Sequence, residues 1–541
     1  MQKKHCITLP YAATGAFSAL VIDYLEQNEK LRPFLAHLPN LDGIKSAIAA
    51  RSNFETPRQM LHKVLTHQYQ GYYLHPKQQM HLDALLENHT FTIVTAHQPN
   101  LFTGPLYFIY KILHAIKLAD ELSLQMPQYH FVPIYYMGSE DADLDELGNF
   151  TAAGTTYTWK TDQIGAVGRM KTEGIAELIE LIKERFGFLP YGQKMITLLE
   201  DAYLRNNRIQ EATLKLVHEL FADFGLLVII PDNPELKRAY LPVMERELTT
   251  RFSQKTVVQT TAQLSQHYKV QAAGREINLF YLFDDGRRER IELVGNKYRV
   301  LFSDLYFSEA ELLTELHNHP ERFSPNVILR GMFQETILPN VVFIGGGAEI
   351  AYWLELKQLF EEAKVPYPVL VLRNSFMLID EKSEQLIHKL GLAEEELFLP
   401  QMELEDLLVK RRHGQLRETT EAQQQLQKVY AALRQEAAAV DKTLVPHVGA
   451  LEAKALKGLV ALAGKMQRAE RRSIAEEARQ IEQLKQRLFP KGVLQERIEN
   501  FLPLYAVFGP DLLMHLYKHS LGLQQQFTCL YLSTLSPLAA Q

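Results

Sequence analysis

The sequence predicts an α/β protein: a parallel-sheet core broken by two insertions and followed by a long antiparallel α-helical coiled-coil arm. Three observations carry this. Apolar runs of strand length recur at residues 91–96, 130–136, 225–231, 339–344 and 368–373, with helix-like segments between them, the pattern of buried parallel strands. Two stretches, about 151–223 and 240–322, leave that rhythm. From 384 to 489, Gln, Glu, Ala, Leu, Lys and Arg dominate, with few glycines and prolines, as in long helices. The expected domains are residues 1–383 for the core with its insertions, 384–489 for the arm, and 490–541 for a helical return onto the core.

The first strand, Phe91-Thr-Ile-Val-Thr-Ala96, leads into the loop His97-Gln-Pro-Asn-Leu-Phe-Thr-Gly104. Pro105 then suits a first helical turn, where a missing N–H costs nothing. Ile109, Ile112, Leu113, Ile116, Leu118 and Leu122 follow at helical spacing, so one helix face packs on the sheet and its N-terminus faces the loop. Free amides there favour an anionic group, with His97, Gln98, Asn100 and Thr103 as side-chain donors and Gly104 at the helix start. The alternative is a capped connection whose polar residues satisfy only backbone.

Upstream, residues 14 to 90 read as helices, with a stripe of Phe17, Leu20, Val21, Tyr24 and Leu25 and starts at Thr56-Pro57 and His75-Pro76. His62, His67, His75, His81 and His89 lack acidic partners at ligand spacing and read as surface or packing residues. The second strand, 130–136, ends at Glu140, Asp141 and Asp143. These acids suit an ammonium group, a ribose or sugar hydroxyl, or Mg²⁺ held with waters; the alternative is an acidic helix start.

In the first insertion, 155–159 reads as a strand and about 174–223 as helices. In the second, Asp285-Gly286 and Gly295-Asn296 predict hairpin turns in an antiparallel meander, and Ser308 with Glu311 a capping box. Arg287, Arg288 and Arg290 on the hairpin read as a solvated edge defence rather than a substrate clamp. The strand at 339–344 meets Gly345, Gly346 and Gly347, with Glu349 in the next helix's first turn. Three glycines let backbone approach a phosphate or carboxylate closely, the alternative being a tight turn without a ligand. No Gly-x-Gly-x-x-Gly or Walker A pattern is present in the sequence. Arg373, followed by Asn374 and Ser375, ends the last core strand as either an anion contact or one half of an ion pair.

The arm is expected as two helices, roughly 402–439 and 447–487. Leu456, Val460 and Ala463, then Ile474, Ala478, Ile481, Leu484 and Leu488, form an apolar stripe with a stutter between. An arm this narrow needs another subunit or the main body packed against it, and a homodimer through the arm is the expectation.

At 541 residues the chain exceeds what one core supports. With 58 basic and 64 acidic residues it carries a formal charge of −6, so no global basic field attracts nucleic acid or membrane. Cys6 and Cys529 build neither a disulfide framework nor a thiolate metal site, which fits a reducing compartment. Without a signal-peptide pattern or an apolar run of about 18 residues, a cytoplasmic location is expected, with neither membrane nor nucleic acid as partner.

Several segments together resemble one family: Ala96-His-Gln-Pro-Asn-Leu-Phe-Thr-Gly-Pro-Leu-Tyr-Phe108, Glu140-Asp-Ala-Asp143, Asn278-Leu-Phe-Tyr281, Ser324-Pro-Asn-Val327 with Arg330, Gly345-Gly-Gly-Ala-Glu-Ile-Ala-Tyr-Trp353, Leu372-Arg-Asn-Ser375, and Leu488-Phe-Pro490 with Leu494-Gln-Glu-Arg497. They look like the cysteine ligases of bacillithiol biosynthesis. The resemblance implies a Rossmann-like core with connecting-peptide insertions, as in class I aminoacyl-tRNA synthetases, and a dimerising coiled coil. It also implies amide formation between cysteine and glucosaminyl-malate, the last step of that pathway. Two positions depart from the family pattern, where many members carry Gln at His97 and His at Ala142, so a general-base role at position 142 does not transfer.

On this reading cysteine's carboxylate is activated as an adenylate or acyl phosphate, with ATP or another nucleotide suspected and Mg²⁺ a candidate; no protein-bound metal site is assigned. His97, Gln98 and Asn100 would stabilise phosphate charge. Glu140, Asp141 and Asp143 would recognise the ammonium or sugar hydroxyls, and Arg330 or Arg373 the malyl carboxylates. The competing readings are nucleotidylyl transfer onto a sugar or acid, and a non-catalytic coiled-coil scaffold.

Overall fold

A computed structural model describes residues 5–271, 274–413 and 419–535. They fall into two units, Met1–Leu378 with Val493–Gln541, and Ile379–Gly492.

The first unit is built on five parallel strands, β1 (Thr90–His97), β2 (His130–Met137), β3 (Leu227–Ile229), β4 (Asn340–Gly345) and β5 (Val369–Leu372), in the spatial order β5-β4-β1-β2-β3. Every residue of β1 is buried. Phe91 and Ile93 join Val342, Ile344, Val369 and Val371 in a core closed by Ile44 and Ile48 of one helix and by Ala115, Leu118 and Leu122 of α1 (Tyr107–Gln125). Burying each of the larger side chains contributes about 1.5–3 kcal/mol.

The chain winds from β1 to β3 in one direction, then returns to lay β4 and β5 on the other side of β1. That reversal opens a crevice beyond the carboxyl ends of β1 and β4, where open α/β sheets bind ligands. Ile344 pairs with Thr95, so the His97 and Gly346 turns emerge side by side.

Helix α1 begins two residues later than Pro105 suggests. Pro105 forms a bridge with Asn500, and Leu106 N–H donates to Glu499 O (2.8 Å), so the returning C-terminal segment takes backbone that a helix starting at Gly104 would have presented to a ligand.

The first insertion holds a hairpin, Asn149–Ala152 with Thr155–Thr158, and helices Ile175–Phe186, Gly192–Tyr203 and Ile209–Phe221. The second holds an antiparallel sheet in the order Tyr306–Phe307, Lys297–Val300, Arg288–Val294, Leu279–Leu282, Phe323–Pro325. Gly286 and Gly295 turn its hairpins at φ +91° and +64°, and Ser308 and Glu311 cap each other reciprocally. Phe323–Pro325 delivers the chain to α2 (Val327–Ile337), and β4 leads into α3 (Gly347–Leu354). The C-terminal return is not purely helical: after Leu502–Phe508 and Pro510–His519, Phe527–Tyr531 pairs antiparallel with Cys6–Leu9.

The second unit contains helices Glu381–Leu390, Gln401–His413, Thr420–Val440, Val445–Ser473 and Ala475–Leu488. The first arm helix predicted from sequence is described as Gln401–His413 and Thr420–Val440; residues 414–418 lie outside the described residues. The second breaks at Ile474 (φ −112°, ψ 27°), where the stripe resumes after the stutter. Ile474, Ile481, Leu484 and Leu488 are buried, whereas Val460 is 57% exposed.

Two buried histidines make the first unit acid-labile. His114 donates from Nε2 to Gly522 O (2.7 Å) and accepts at Nδ1 from Asn374 N–H (3.1 Å); burial holds its pKa at about 4. His81 bonds Gly225 O (2.6 Å) and is likewise held at about 4 by burial. Between pH 6.5 and 4 the unfolded chain takes up protons that the folded one refuses. Stability therefore falls as pH drops through that window, by up to roughly 1.4 kcal/mol per pH unit for each histidine. Urea midpoints measured from pH 7.5 to 4.5 should decline, and His114→Gln should flatten the decline.

Candidate functional site

A cavity of about 690 Å³ lies at the β1/β4 switch point. The His97 and Gln98 turn, Glu140 and Asp141 after β2, and Gly346, Gly347 and Glu349 after β4 all line it, with Arg330 from α2 and Arg373 from the end of β5. Segments almost 280 residues apart in sequence thus share one pocket.

His97 is 9% exposed, with its ring edge-on to Tyr107 (5.3 Å). Its Nε2 has no hydrogen-bond partner among the described residues. Burial first, then the charges of Lys111, Arg330 and Arg373, hold the imidazole neutral, well below its ordinary pKa. Ser139, also on the wall, has an unpartnered Oγ. Buried polar atoms without partners are costly, and both residues line the cavity.

One wall is acidic. Gln98 Nε2 donates to Asp141 Oδ2 (3.1 Å), and Glu140 pairs with the fully buried Lys237, which also donates to Phe323 O (2.6 Å). Glu146 joins them; desolvation and then the neighbouring Asp143 and Asp141 raise its pKa.

The opposite chemistry comes from the sheet edge. Lys111, buried on α1, donates to Ala96 O (2.7 Å) and pairs with Glu349, while Glu349 accepts from Gly346 N–H (2.8 Å). Arg330 donates to Tyr352 Oη (2.7 Å). Arg373 forms a two-pronged pair with Glu496 (2.8 and 3.1 Å) beneath the Tyr107 ring. The phenols of Tyr107 and Tyr352 are pushed up to about 12, chiefly by burial, and remain proton donors. The α2 and α3 N-termini, through Asn326, Val327, Gly346, Gly347 and Ala348, open on the same space, and first-turn amides favour anions.

Seven of the sequence candidates do not reach the cavity. Asn100 packs on Gly104, whose Cβ would lie 2.7 Å from that of Asn100. Phe102 and Thr103 hold left-handed φ of +49° and +73°, and Asn500 Nδ2 pins this turn by donating to Phe102 O (2.9 Å). Thr103 and Gly104 therefore form a locked corner, not a phosphate loop. Asp143 caps the short helix Leu144–Leu147 by accepting from Glu146 N–H (3.1 Å). Gly345 lies inside β4, where a Cβ would strike the Phe343 ring at 2.8 Å. Asn374 receives Leu521 N–H (2.8 Å), and Ser375 Oγ is held between Arg373 and Glu496. Among the described residues no group of three or more His, Cys, Asp or Glu side chains could hold a metal ion; Asp143 turns to its helix, so the acidic triplet does not assemble.

Sequence reasoning gave no site role to Lys111, Ser139, Lys237, Arg275, Phe280, Tyr352 or Glu496. Lys111 had a signal, being a lysine inside an otherwise apolar helix stripe. Arg288 is corrected from edge defence to cavity wall, since it lines the pocket.

Two family models match the chain: the N-terminal Rossmann-like domain of bacillithiol biosynthesis BshC over residues 2–374, and its C-terminal coiled-coil domain over residues 376–532. The chain is 38% identical to the BshC protein of Flavobacterium johnsoniae over 96% of its own length and 98% of the relative's. It is 39% identical to that of Flavobacterium psychrophilum (94% and 96%) and 37% identical to that of Cytophaga hutchinsonii (93% and 94%). With a Rossmann-like core, a coiled-coil unit and near full-length likeness to these proteins, the chain belongs to the BshC family and is an enzyme of bacillithiol biosynthesis.

Proposed function

We propose that this enzyme joins the carboxylate of cysteine to the amine of glucosaminyl-malate; the cysteine-ligase name its relatives carry suggests the cysteine half of that reaction. The observation that carries the reading is the cavity's division into an acidic wall and a cationic sheet edge, both lined by turns at the β1/β4 switch point. An amino sugar bearing a diacid and a zwitterionic amino acid both need that pairing of charges.

Neutral His97, the backbone at Gly347 and the buried Lys111 fit the phosphates of a nucleotide. A nucleotide would supply the activation that a carboxylate needs before an amine attacks it. Lys111 and Arg330 would hold the anionic end, Glu140 and Asp141 would orient the amine, and neutral His97 would donate or accept a hydrogen bond without changing charge.

Mass spectrometry of the purified protein with cysteine, glucosaminyl-malate and ATP should show a product heavier than the acceptor by cysteine less one water. No such product with any nucleoside triphosphate would count against a stand-alone ligase.

We place the enzyme in the cytoplasm and assign it a homodimer through the arm. Neither Cys6 nor Cys529 is in a disulfide among the described residues, and no described helix is long and apolar enough to cross a membrane. Val429, Leu433, Val460 and Leu462 are each more than 40% exposed on the arm helices, a surface suited to a second copy. Replacing these four by Ser should convert dimer to monomer in sedimentation velocity.

A further inference from the structure

The cations at the sheet edge are largely committed: Arg373 to Glu496, Lys111 to Glu349, and one arm of Arg330 to Tyr352. The second insertion brings others to the same cavity. Arg288 begins the strand Arg288–Val294, with Nε donating to Ser324 Oγ (2.8 Å) and Nη2 to Pro325 O (2.9 Å). Its guanidinium lies 3.9 Å from the Phe280 ring centroid. These contacts fix the group and leave Nη1 without a hydrogen-bond partner among the described residues. Arg275 stands 6.0 Å from the same ring, and among the described residues only its backbone is hydrogen-bonded, its N–H donating to Asn278 Oδ1 (3.1 Å) and its O accepting from Asn278 Nδ2 (2.9 Å). Neither side chain has a carboxylate within ion-pair distance among the described residues, yet both line the pocket with Phe280.

A guanidinium locked by two hydrogen bonds and a ring loses little freedom when an anion arrives. Glu140 and Asp141 are near enough to act on the Arg288 charge, so an ammonium held by those acids would lie beside an anion held by Arg288.

We propose that Arg288, seconded by Arg275 and backed by Phe280, binds the carboxylates of the amine-bearing acceptor, making the second insertion the element that selects an acidic aglycone. This rests on the ligase reading above and reassigns the diacid from Arg330 and Arg373 to the insertion.

The test compares glucosaminyl-malate with methyl glucosaminide, which keeps the amine and has no carboxylate, using the full-length protein with cysteine and ATP. Arg288→Gln should raise the KM for glucosaminyl-malate about ten- to a hundredfold, the loss of one charge-assisted hydrogen bond. It should leave kcat within about threefold and the cysteine KM unchanged, and should shrink the preference over methyl glucosaminide by the same factor. Arg288→Lys should restore part of that preference. Arg275→Gln, which removes no side-chain hydrogen bond to the described residues, should shift KM the same way by less. Unchanged acceptor KM and preference in both Gln variants overturns the proposal, as does an equal loss on both acceptors. If the wild type makes no product at all, the ligase reading fails, and calorimetric titration with glucosaminyl-malate decides the subsite alone. Binding to wild type that weakens at least tenfold in Arg288→Gln supports it; equal binding, or none to wild type, overturns it.

Discussion

Replacing Glu496 with Ala should destabilise the first unit by about 3–5 kcal/mol, the cost of leaving a buried charge without its partner. Glu496 is fully buried, and its carboxylate receives Arg373 Nη1 and Nη2, Ser375 Oγ and Phe376 N–H. Without it a guanidinium that is 5% exposed loses its counter-charge. Urea denaturation would read the change, and a loss below about 1 kcal/mol would mean that water reaches Arg373 readily. Glu335→Ala is the companion variant. Glu335 pairs with Arg51 (2.7 Å), both side chains at most 1% exposed, near Asn340 at the opposite end of β4. It should cost a similar amount in stability while the KM values of the folded fraction stay at wild-type levels, whereas Glu496→Ala should change both, because Arg373 is part of the cavity wall.

Lys111→Met should lower the ligation rate by about 10²–10³-fold, the scale seen when a preorganised charge that stabilises a developing anion is removed. Methionine keeps most of the side-chain volume, so the α1 packing against the sheet survives. What is lost is the ammonium between Ala96 O and Glu349, together with one of the three charges that hold His97 neutral. Because Arg330, Arg373 and burial still act on His97, it should remain neutral through pH 6–8, and the rate profile there should keep its wild-type shape while dropping in height. A rate within threefold of wild type would remove Lys111 from the site.

The locked corner at Asn100, Thr103 and Gly104 shows how a loop reads differently from sequence and from structure. Polar residues before a helix suggest an anion cradle equally well whether their donors face a ligand or another part of the chain. Here Glu499 and Asn500, almost 400 residues away, take the helix start and the turn carbonyls. Asp143 illustrates the local version: a carboxylate two residues from Asp141 is drawn to its own helix amides, as helix caps are. Arg288 errs in the opposite direction, since a charged hairpin residue reads as edge defence until the sheet is seen to place its strand beside Phe280 and Ser324.

The alternation of apolar runs with amphipathic segments determined the parallel sheet by itself, because strands buried on both faces need unbroken apolar sequence. Composition likewise determined the helical arm, and glycine pairs the hairpins of the second insertion, since only certain residues tolerate positive φ. Those are local or periodic constraints, carried by neighbours in the chain. Which polar residues meet in the pocket was decided only in three dimensions. Contacts such as Arg373 with Glu496, Glu140 with Lys237 and Asn500 with the Phe102 corner join residues roughly a hundred to four hundred positions apart. No spacing rule reaches that far, so a charge that side-chain chemistry offers to a ligand is consumed or left free according to what the folded chain brings beside it.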